Sequence, residues 1–170
     1  IEIWNIVFSQ FNAKNGLTRD QYEELPHKNI DTGAGLERFA YILQQTKTNY
    51  ETDLFLPIIN KCEQLGNEKY DSVYHSSFKI IADHLRTCTF ALADGASFSK
   101  EGRGYVLRRL LRRAVRHGNK IGIEGPFLAQ LVDTVIEIMQ DFYPYLLQKK
   151  DYIKDLITKK EIKFNQTLKD

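Results

Sequence analysis

The stretch EGRGYVLRRLLRRAVRHG at residues 101–118 decides how this chain is organised. At the α-helical turn of about 100° per residue, its five arginines from position 108 onward share an arc of roughly 140°. They are Arg108, Arg109, Arg112, Arg113 and Arg116. Leucine, alanine and valine occupy a similar arc nearly opposite, so the stretch predicts a helix with one buried face and one cationic face. Gly118 is expected to end this helix.

No acidic residue lies among these arginines. Residues 100–120 hold eight Lys and Arg and only one Glu, although the net charge of the whole chain is +2. Like charges at positions i and i+4 destabilise a helix by roughly 0.2–0.5 kcal/mol per pair. Such a face therefore indicates an anionic partner, and a phosphate backbone suits guanidinium groups well. The alternative is that the arginines are solvated or paired with acids of neighbouring helices.

Apolar residues recur at helical spacing on both sides of this helix, from Asn49 to the end of the chain, and predict a helical bundle. Prolines are expected in first turns, glycines just past last turns, and a serine at one N-cap. The expected boundary residues are Pro57, Gly66, Ser76 or Ser77, Gly95 and Pro126. The last helix should carry a thin apolar stripe. Its expected members are Tyr152, Leu156, Phe164 and Leu168.

The first 47 residues follow a different pattern. Isoleucine, valine, phenylalanine and tryptophan dominate Ile1–Phe11, which predicts a buried strand. A polar loop then ends at Pro26, and Asn29–Thr32 predicts a short second strand before a helix from about Leu36 to Gln45. The expected fold is therefore mainly α, a helical bundle preceded by a small antiparallel β segment.

The octapeptide DTGAGLER at residues 31–38 is the most informative motif of this first part. A strand ends there, two glycines allow close backbone approach, and a helix begins with Arg38 in its first turn. Backbone amides, the positive end of a helix and a guanidinium group therefore converge, which suits an anionic or planar ligand. The glycine spacing matches neither the dinucleotide-binding motif nor the P-loop.

This octapeptide resembles the third signature motif of class II aminoacyl-tRNA synthetases, in the form found in alanyl-tRNA synthetases. Other stretches resemble the same family in the same order, so that the similarity covers almost the whole chain. They are EIWNIVF at 2–8, NYETDLF at 49–55, IADHLR at 81–86, ADG at 93–95 and EGRGYVLRR at 101–109.

The resemblance implies part of an enzyme that activates alanine with ATP and transfers the alanyl group to tRNA. It implies that residues 1–47 are the end of a class II catalytic domain and that residues 48–170 begin a helical tRNA-recognition domain. Family members bind ATP and Mg²⁺ partly through motifs that would precede residue 1. By itself the chain is therefore expected to form no adenylate, and no catalytic or metal-binding residue is assigned to it.

The resemblance also implies roles for individual residues. Asp31 would pair with the ammonium group of alanine, Asn5 would hold alanine by hydrogen bonding, and Val7 with Gly33 would line a pocket for one methyl group. ATP would contact Gly35 and Arg38, the arginine bracing the adenine ring and the terminal phosphate.

The helical part is implied to bind the acceptor stem of tRNA-Ala and to read its G·U wobble pair in the shallow minor groove. Lys100 and Arg103 lie in the loop that supplies one reading group, where the family commonly has asparagine in place of Lys100. Because lysine donates hydrogen bonds but cannot accept them, contact of Lys100 with either a base edge or a phosphate stays open. The expected tRNA-binding residues are these two and the five arginines.

Two other functions fit the same cationic helix: a non-enzymatic helical RNA-binding module, and a protein-interaction domain that docks an acidic partner. No run of roughly 18 apolar residues exists, so no membrane partner is expected. Cys62 and Cys88 are expected as buried small side chains, which fits a reducing, cytoplasmic setting. The four histidines are expected as structural groups. Self-association is one way to cover the strand Ile1–Phe11, which lacks sheet partners here.

Overall fold

The computed structural model describes residues 2–169, and the side chains of residues 2–167. The described part is mainly helical with one two-stranded antiparallel sheet, which confirms the predicted fold class. The strands are β1 (Trp4–Asn12) and β2 (Glu23–Ala34). The helices are α1 (Leu36–Leu43), α2 (Leu56–Leu65), α3 (His75–Ala93), α4 (Gly102–Lys120), α5 (Leu128–Met139), α6 (Tyr145–Gln148) and α7 (Lys150–Lys169). Short 3-10 turns occur at Arg19–Gln21 and Asn49–Glu51. The chain divides into two compact units after Thr52.

The strand β2 is much longer than the predicted segment Asn29–Thr32 and contains Pro26. The ladder runs with one register up to the pair Ser9↔Asn29 and resumes with another at Phe11↔Glu24. A bulge therefore lies between them, and Pro26 falls within it. Because a bulged residue needs no ladder hydrogen bond, proline is tolerated there, and it does not end the strand.

The prediction of a buried first strand is wrong. No side chain of residues 2–51 is buried, and the large apolar groups of β1 are open to solvent: Trp4 is 56% exposed and Phe8 68%. A two-stranded ribbon has two open faces, and an apolar face is buried only when a further layer packs on it. Helix α1 follows as predicted at Leu36, but it ends at Leu43 because Gln45 adopts a left-handed backbone conformation with φ of 54°.

The second unit contains the hydrophobic core. Helix α3 packs against α2, α4 and α5, and α7 packs against α4 and α5, which together enclose the apolar faces. Cys62 and Cys88 are buried and free, as expected, and burial raises the pKa of each thiol to about 12. No helix in the described part of the chain has both the length and the apolar composition that a membrane crossing requires.

Three of the predicted helix boundaries are confirmed. Pro57 lies in the first turn of α2, Gly66 is the C-cap of that helix, and Gly95 follows α3 with a left-handed φ of 91°. The predicted serine cap is wrong, because α3 begins at His75 after an N-cap at Tyr74 that gives no side-chain bond.

Helix α5 begins at Leu128 instead of at the predicted Pro126. Its first amide groups are satisfied by a residue from another helix: the backbone N–H groups of Phe127 and Leu128 donate to the two carboxyl oxygens of Glu161 at 3.0 and 3.1 Å. Glu161 of α7 is fully buried, and this burial raises its pKa to about 7 although the two backbone hydrogen bonds act in the opposite direction. A distant carboxyl group thus replaces a local cap.

Gly118 does not end the arginine helix, which continues to Lys120. A Cβ atom at position 118 would lie 2.3 Å from the ring of Phe127, a distance that no real contact allows. The glycine is therefore needed for close packing of the ring on α4 and not as a stop signal.

The buried stripe of α7 also differs from the prediction. Ile153, Ile157 and Phe164 are buried, whereas Tyr152 is 52% exposed and Leu156 is half-buried. The predicted member Leu168 lies outside the described side chains. Only Phe164 of the predicted stripe is confirmed as buried.

We expect Gly118→Ala to lower the free energy of unfolding by about 1–3 kcal/mol, because the added methyl group must displace the Phe127 ring. Urea unfolding of the chain measures this destabilisation. The matched control makes the same change in a Phe127→Leu background, where the smaller side chain leaves more room for the added methyl group. There Gly118→Ala should lower the free energy of unfolding by less than it does in the unmodified chain. Equal destabilisation in both backgrounds would contradict the proposed clash.

The raised pKa of Glu161 predicts a pH-dependent stability. Because the folded pKa of about 7 exceeds the ordinary 4.5, the contribution of this group is fully present below pH 4.5 and is lost as pH rises through 7. A shift of this size corresponds to roughly 3 kcal/mol, so thermal unfolding should show lower stability at pH 8 than at pH 5. In Glu161→Gln this difference should shrink markedly, and an unchanged difference would refute the assignment.

Candidate functional site

The four residues expected to bind alanine lie on one face of the ribbon. Asn5 is directly opposite Gly33, and Val7 is directly opposite Asp31 in the β1–β2 ladder. Opposed residues of an antiparallel pair point to the same side, and residues two apart along a strand do so too. The two pairs are therefore adjacent steps of one face, separated by roughly 7 Å along the strands.

A cavity of about 470 Å³ lies beside the first of these pairs. Asn5, Gly33, Gly35 and Arg38 all line it, so the structure brings together two expected alanine-binding residues and both expected ATP-binding residues. Val7 and Asp31 are not part of this lining. They lie one ladder step further along the same face.

The backbone of Glu2 fixes the guanidinium group in this cavity. Arg38 Nη1 donates to the carbonyl oxygen of Glu2 at 2.5 Å, and Asn5 Nδ2 donates to the Glu2 side chain at 3.1 Å. A Cβ atom on Gly35 would lie 3.0 Å from the Arg38 side chain, so glycine leaves room for the arginine to lie against the turn. Since guanidinium carries five N–H donors, most of them remain available to a ligand with several acceptor oxygens.

The second candidate site is the cationic face of α4. Leu107, Leu111, Ala114 and Val115 are buried on one side of this helix, as predicted, and Leu110 is half-buried. On the other side four of the five arginines are exposed, and Arg108 is half-buried at the edge of the face.

No carboxylate neutralises this face within the described residues. None of the five arginines, nor Lys100 or Arg103, forms an ion pair with an N···O distance within 4.0 Å. Asp83 of α3 interacts electrostatically with Arg113, but its hydrogen-bond partner is His84 at 2.8 Å, which is the main reason why the pKa of Asp83 is lowered. The alternative of arginines consumed by acids of neighbouring helices does not fit this arrangement.

Aromatic rings lie beneath three of the arginines. The Arg109 guanidinium carbon is 5.8 Å from the centre of the Tyr105 ring, and those of Arg108 and Arg112 are each 5.9 Å from the centre of the Phe164 ring. These rings support the cations without removing their charge. Sequence reasoning did not single out Tyr105, although its spacing of four residues from Arg109 places it on the same face.

Lys100 lies two residues before α4, Arg103 lies in the first turn of that helix, and both are exposed. The preceding loop packs tightly on the first turn of the helix, because a Cβ atom on Gly104 would lie 2.2 Å from the carbonyl oxygen of Ser97. At 100° per residue Arg103 falls roughly 80° outside the arc of the five arginines. Arg103 is therefore not part of the main cationic face.

The histidines do not gather into a metal site. Among the described residues no group of three or more His, Cys, Asp or Glu side chains could hold a metal ion. His84 is buried and His117 is bonded through Nδ1 to the Ser77 hydroxyl at 2.9 Å. In the part of the chain that the structure describes, the Nε2 atom of His84 has no hydrogen-bond partner, so this histidine is only partly satisfied.

Comparison with known proteins shows the family to which the chain belongs. The family model described as class II (A) tRNA synthetases matches residues 1–170, and the chain belongs to this family. Among its relatives, the alanine–tRNA ligase of Acholeplasma laidlawii (strain PG-8A) is 58% identical over 170 residues, and that of Lactococcus lactis subsp. cremoris (strain MG1363) is 58% identical over 169. These matches cover 100% and 99% of this chain but only 20% and 19% of the relatives. The chain thus spans about one fifth of their length.

Proposed function

We propose that the chain is part of an alanine–tRNA ligase, an enzyme that activates alanine with ATP and transfers it to the 3′ end of tRNA-Ala. The observation that carries this proposal is the match over the whole chain, at 58% identity, to relatives that bear this name. In the proposal, residues 1–47 complete the catalytic domain and residues 48–170 begin the tRNA-recognition domain. The parent enzyme acts in the cytoplasm.

Alanine binds on the ribbon face formed by the pairs Asn5↔Gly33 and Val7↔Asp31. The exposed carboxylate of Asp31 pairs with the ammonium group, and the Asn5 amide holds the substrate by a hydrogen bond. Val7 and the bare backbone of Gly33 leave room for one methyl group. Because one methylene is worth only about 1–3 kcal/mol of discrimination, such a pocket excludes large side chains but rejects smaller or near-isosteric amino acids weakly.

ATP binds in the adjoining cavity, where Gly35 allows close approach and Arg38 provides a guanidinium group fixed by the Glu2 backbone. The free N–H groups of Arg38 fit phosphate oxygens and its planar surface fits an adenine ring. Mg²⁺ neutralises the phosphate charge when it is bound to the parent enzyme. The residues of this chain contribute positioning, which brings the alanine carboxylate and the α-phosphate into one site.

The acceptor stem of tRNA-Ala binds to the second unit. The five arginines of α4 contact phosphates, which fix the position of the duplex but do not read its sequence. Lys100, in the loop before α4, and Arg103, in its first turn, are exposed and available to the shallow minor groove of A-form RNA. The absence of carboxylate partners among the described residues supports phosphate binding by the arginines.

The tRNA proposal predicts a specific salt dependence. Binding of the chain to tRNA-Ala should weaken steeply as salt rises, and Arg112→Gln with Arg113→Gln should reduce the slope of log K against log [salt] by about 1.5, or 0.7–0.9 for each phosphate that is no longer neutralised. The pair Lys28→Gln with Lys47→Gln, exposed residues of the first unit, removes the same charge and should leave the slope nearly unchanged. Equal slopes in the arginine pair and in the unmodified chain would contradict phosphate binding by these arginines.

A tRNA variant with G·C in place of the G·U pair separates reading from positioning. If Lys100 or Arg103 reads base edges at the G·U pair, the chain should bind the G·C tRNA more weakly than tRNA-Ala. The variant Arg112→Gln with Arg113→Gln should lose the same factor of affinity for both tRNAs, because phosphate contacts do not depend on the base pair. Tight binding to an acidic protein without binding to either tRNA would instead support the protein-interaction alternative.

The alanine pocket predicts a selective kinetic defect in the parent enzyme. Asp31→Asn should lower kcat/KM for alanine by about 10- to 100-fold in ATP–pyrophosphate exchange, because a charge-assisted hydrogen bond is worth roughly 1.5–3 kcal/mol. The KM for ATP should change much less. Asp20→Asn, an exposed carboxylate with the same charge change, is the matched control and should behave like the unmodified enzyme. An unchanged kcat/KM for alanine in Asp31→Asn would refute the assignment.

A further inference from the structure

The outer surface of α7 carries lysines that the sequence pattern did not single out. A groove of about 230 Å³ lies between this helix and the loop that precedes α4. Its lining includes Phe98 of the loop and Tyr152 of α7, and three lysines of α7 complete it: Lys159, Lys160 and Lys163. Lys159 is paired with Asp155 at 2.6 Å, whereas Lys160 and Lys163 form no ion pair within the described residues.

These lysines adjoin the arginine face of α4. The Phe164 ring of α7 lies under both Arg108 and Arg112, so the two helices meet at this ring. Burial lowers the pKa of the Lys160 ammonium group, and the charges of Arg108 and Lys163 act in the same direction. Both charged groups that contribute to this shift are cations.

The acid next to Lys160 in sequence does not neutralise it. Glu161 points into the core, where it accepts hydrogen bonds from the first amides of α5. At 100° per residue, Glu161 and Lys163 lie roughly 160° apart around the helix, with the buried stripe on the side of Glu161. Arg108 and Arg112 lie over the Phe164 ring, and the Lys160 ammonium nitrogen lies 5.8 Å from the centre of the Phe98 ring in the groove. Arg112 and Lys163 are exposed, whereas Arg108 and Lys160 are half-buried.

We propose that Lys160 and Lys163 form a second phosphate-binding strip, so that one RNA strand crosses from the arginine face of α4 onto α7 along the groove beside Phe98. This inference rests on the proposed binding of tRNA by α4. Repulsion among the four cations is relieved when a polyanion binds, and the regular phosphates of an RNA strand supply charges to both helices at once. The exposed ring of Tyr152 lies at the same groove and offers a surface for a ribose or a base.

The test compares charge-matched variants of α7. Lys160→Gln with Lys163→Gln should lower the affinity of the chain for tRNA-Ala by roughly 10- to 50-fold near 0.1 M salt, and the salt slope should fall by about 1.5. Lys150→Gln with Lys154→Gln removes the same charge from the same helix, but both of these lysines are paired with Asp133, at 3.1 and 2.6 Å. This control should change the slope little. Thermal unfolding of each variant establishes that it is folded before binding is measured.

The outcomes separate this inference from the function on which it rests. If the arginine pair of α4 lowers the salt slope and the lysine pair of α7 does not, the second strip is refuted while tRNA binding by α4 stands. If the unmodified chain shows no salt-dependent binding to tRNA, both fail. If the lysine pair weakens binding to polyglutamate but not to tRNA, the surface binds an acidic protein and the proposal is overturned. A further variant combines the arginine pair of α4 with the lysine pair of α7. If its loss of binding free energy for tRNA equals the sum of the losses in the two pairs, this would support one RNA strand that contacts both strips at once.

Discussion

Burial of one face of α4 is the constraint on which the cationic surface depends. Three i, i+4 pairs of arginines on this helix cost about 1 kcal/mol in total. Burying a single leucine or valine side chain contributes about 1.5–3 kcal/mol, and Leu111 and Val115 are completely buried. The apolar face therefore holds the helix in place against the repulsion of its own charges. Because α3 and α7 cover that face, the guanidinium groups can only point outward.

Periodicity predicted the parts of the fold that depend on local pattern. The two faces of α4 and the mainly α architecture follow from the spacing of apolar residues. This spacing is visible in the sequence without knowledge of the tertiary contacts. The boundary signals at Gly118 and Pro126 were less reliable, because tertiary contacts act at both places. The Phe127 ring needs the bare backbone at Gly118, and α5 begins at Leu128, where the backbone N–H groups of Phe127 and Leu128 bond to Glu161. No local pattern reveals a partner more than 30 residues away.

The candidate sites were predictable to different degrees. Alternation along a strand places Asn5 and Val7 on one face, but their partners in β2 depend on a register that is set beyond a bulge. On α7 the stripes Tyr152–Leu156 and Ile153–Ile157 have the same spacing, and the second one is buried. Because the prediction took the Tyr152–Leu156 stripe as buried, it assigned the wrong side of α7 to the core. The lysines on that side were therefore not recognised as a surface. The absence of acids around the arginines is likewise a property of packing, which sequence spacing cannot establish.

Helix α7 carries its acid Glu161 on the buried side and the lysines Lys160 and Lys163 on the outer side. This arrangement explains why the cationic surface is not confined to α4. Its buried acid, Glu161, is held by the amide groups of α5, whose partial positive charge favours a carboxylate at that position. Since this acid is committed to the core, it cannot approach Lys160 or Lys163 across the buried stripe. The same contact that begins α5 therefore leaves the outer side of α7 with uncompensated positive charge. The hydrogen bonds at the beginning of α5 thus also keep this acid on the buried side of α7, away from the lysines.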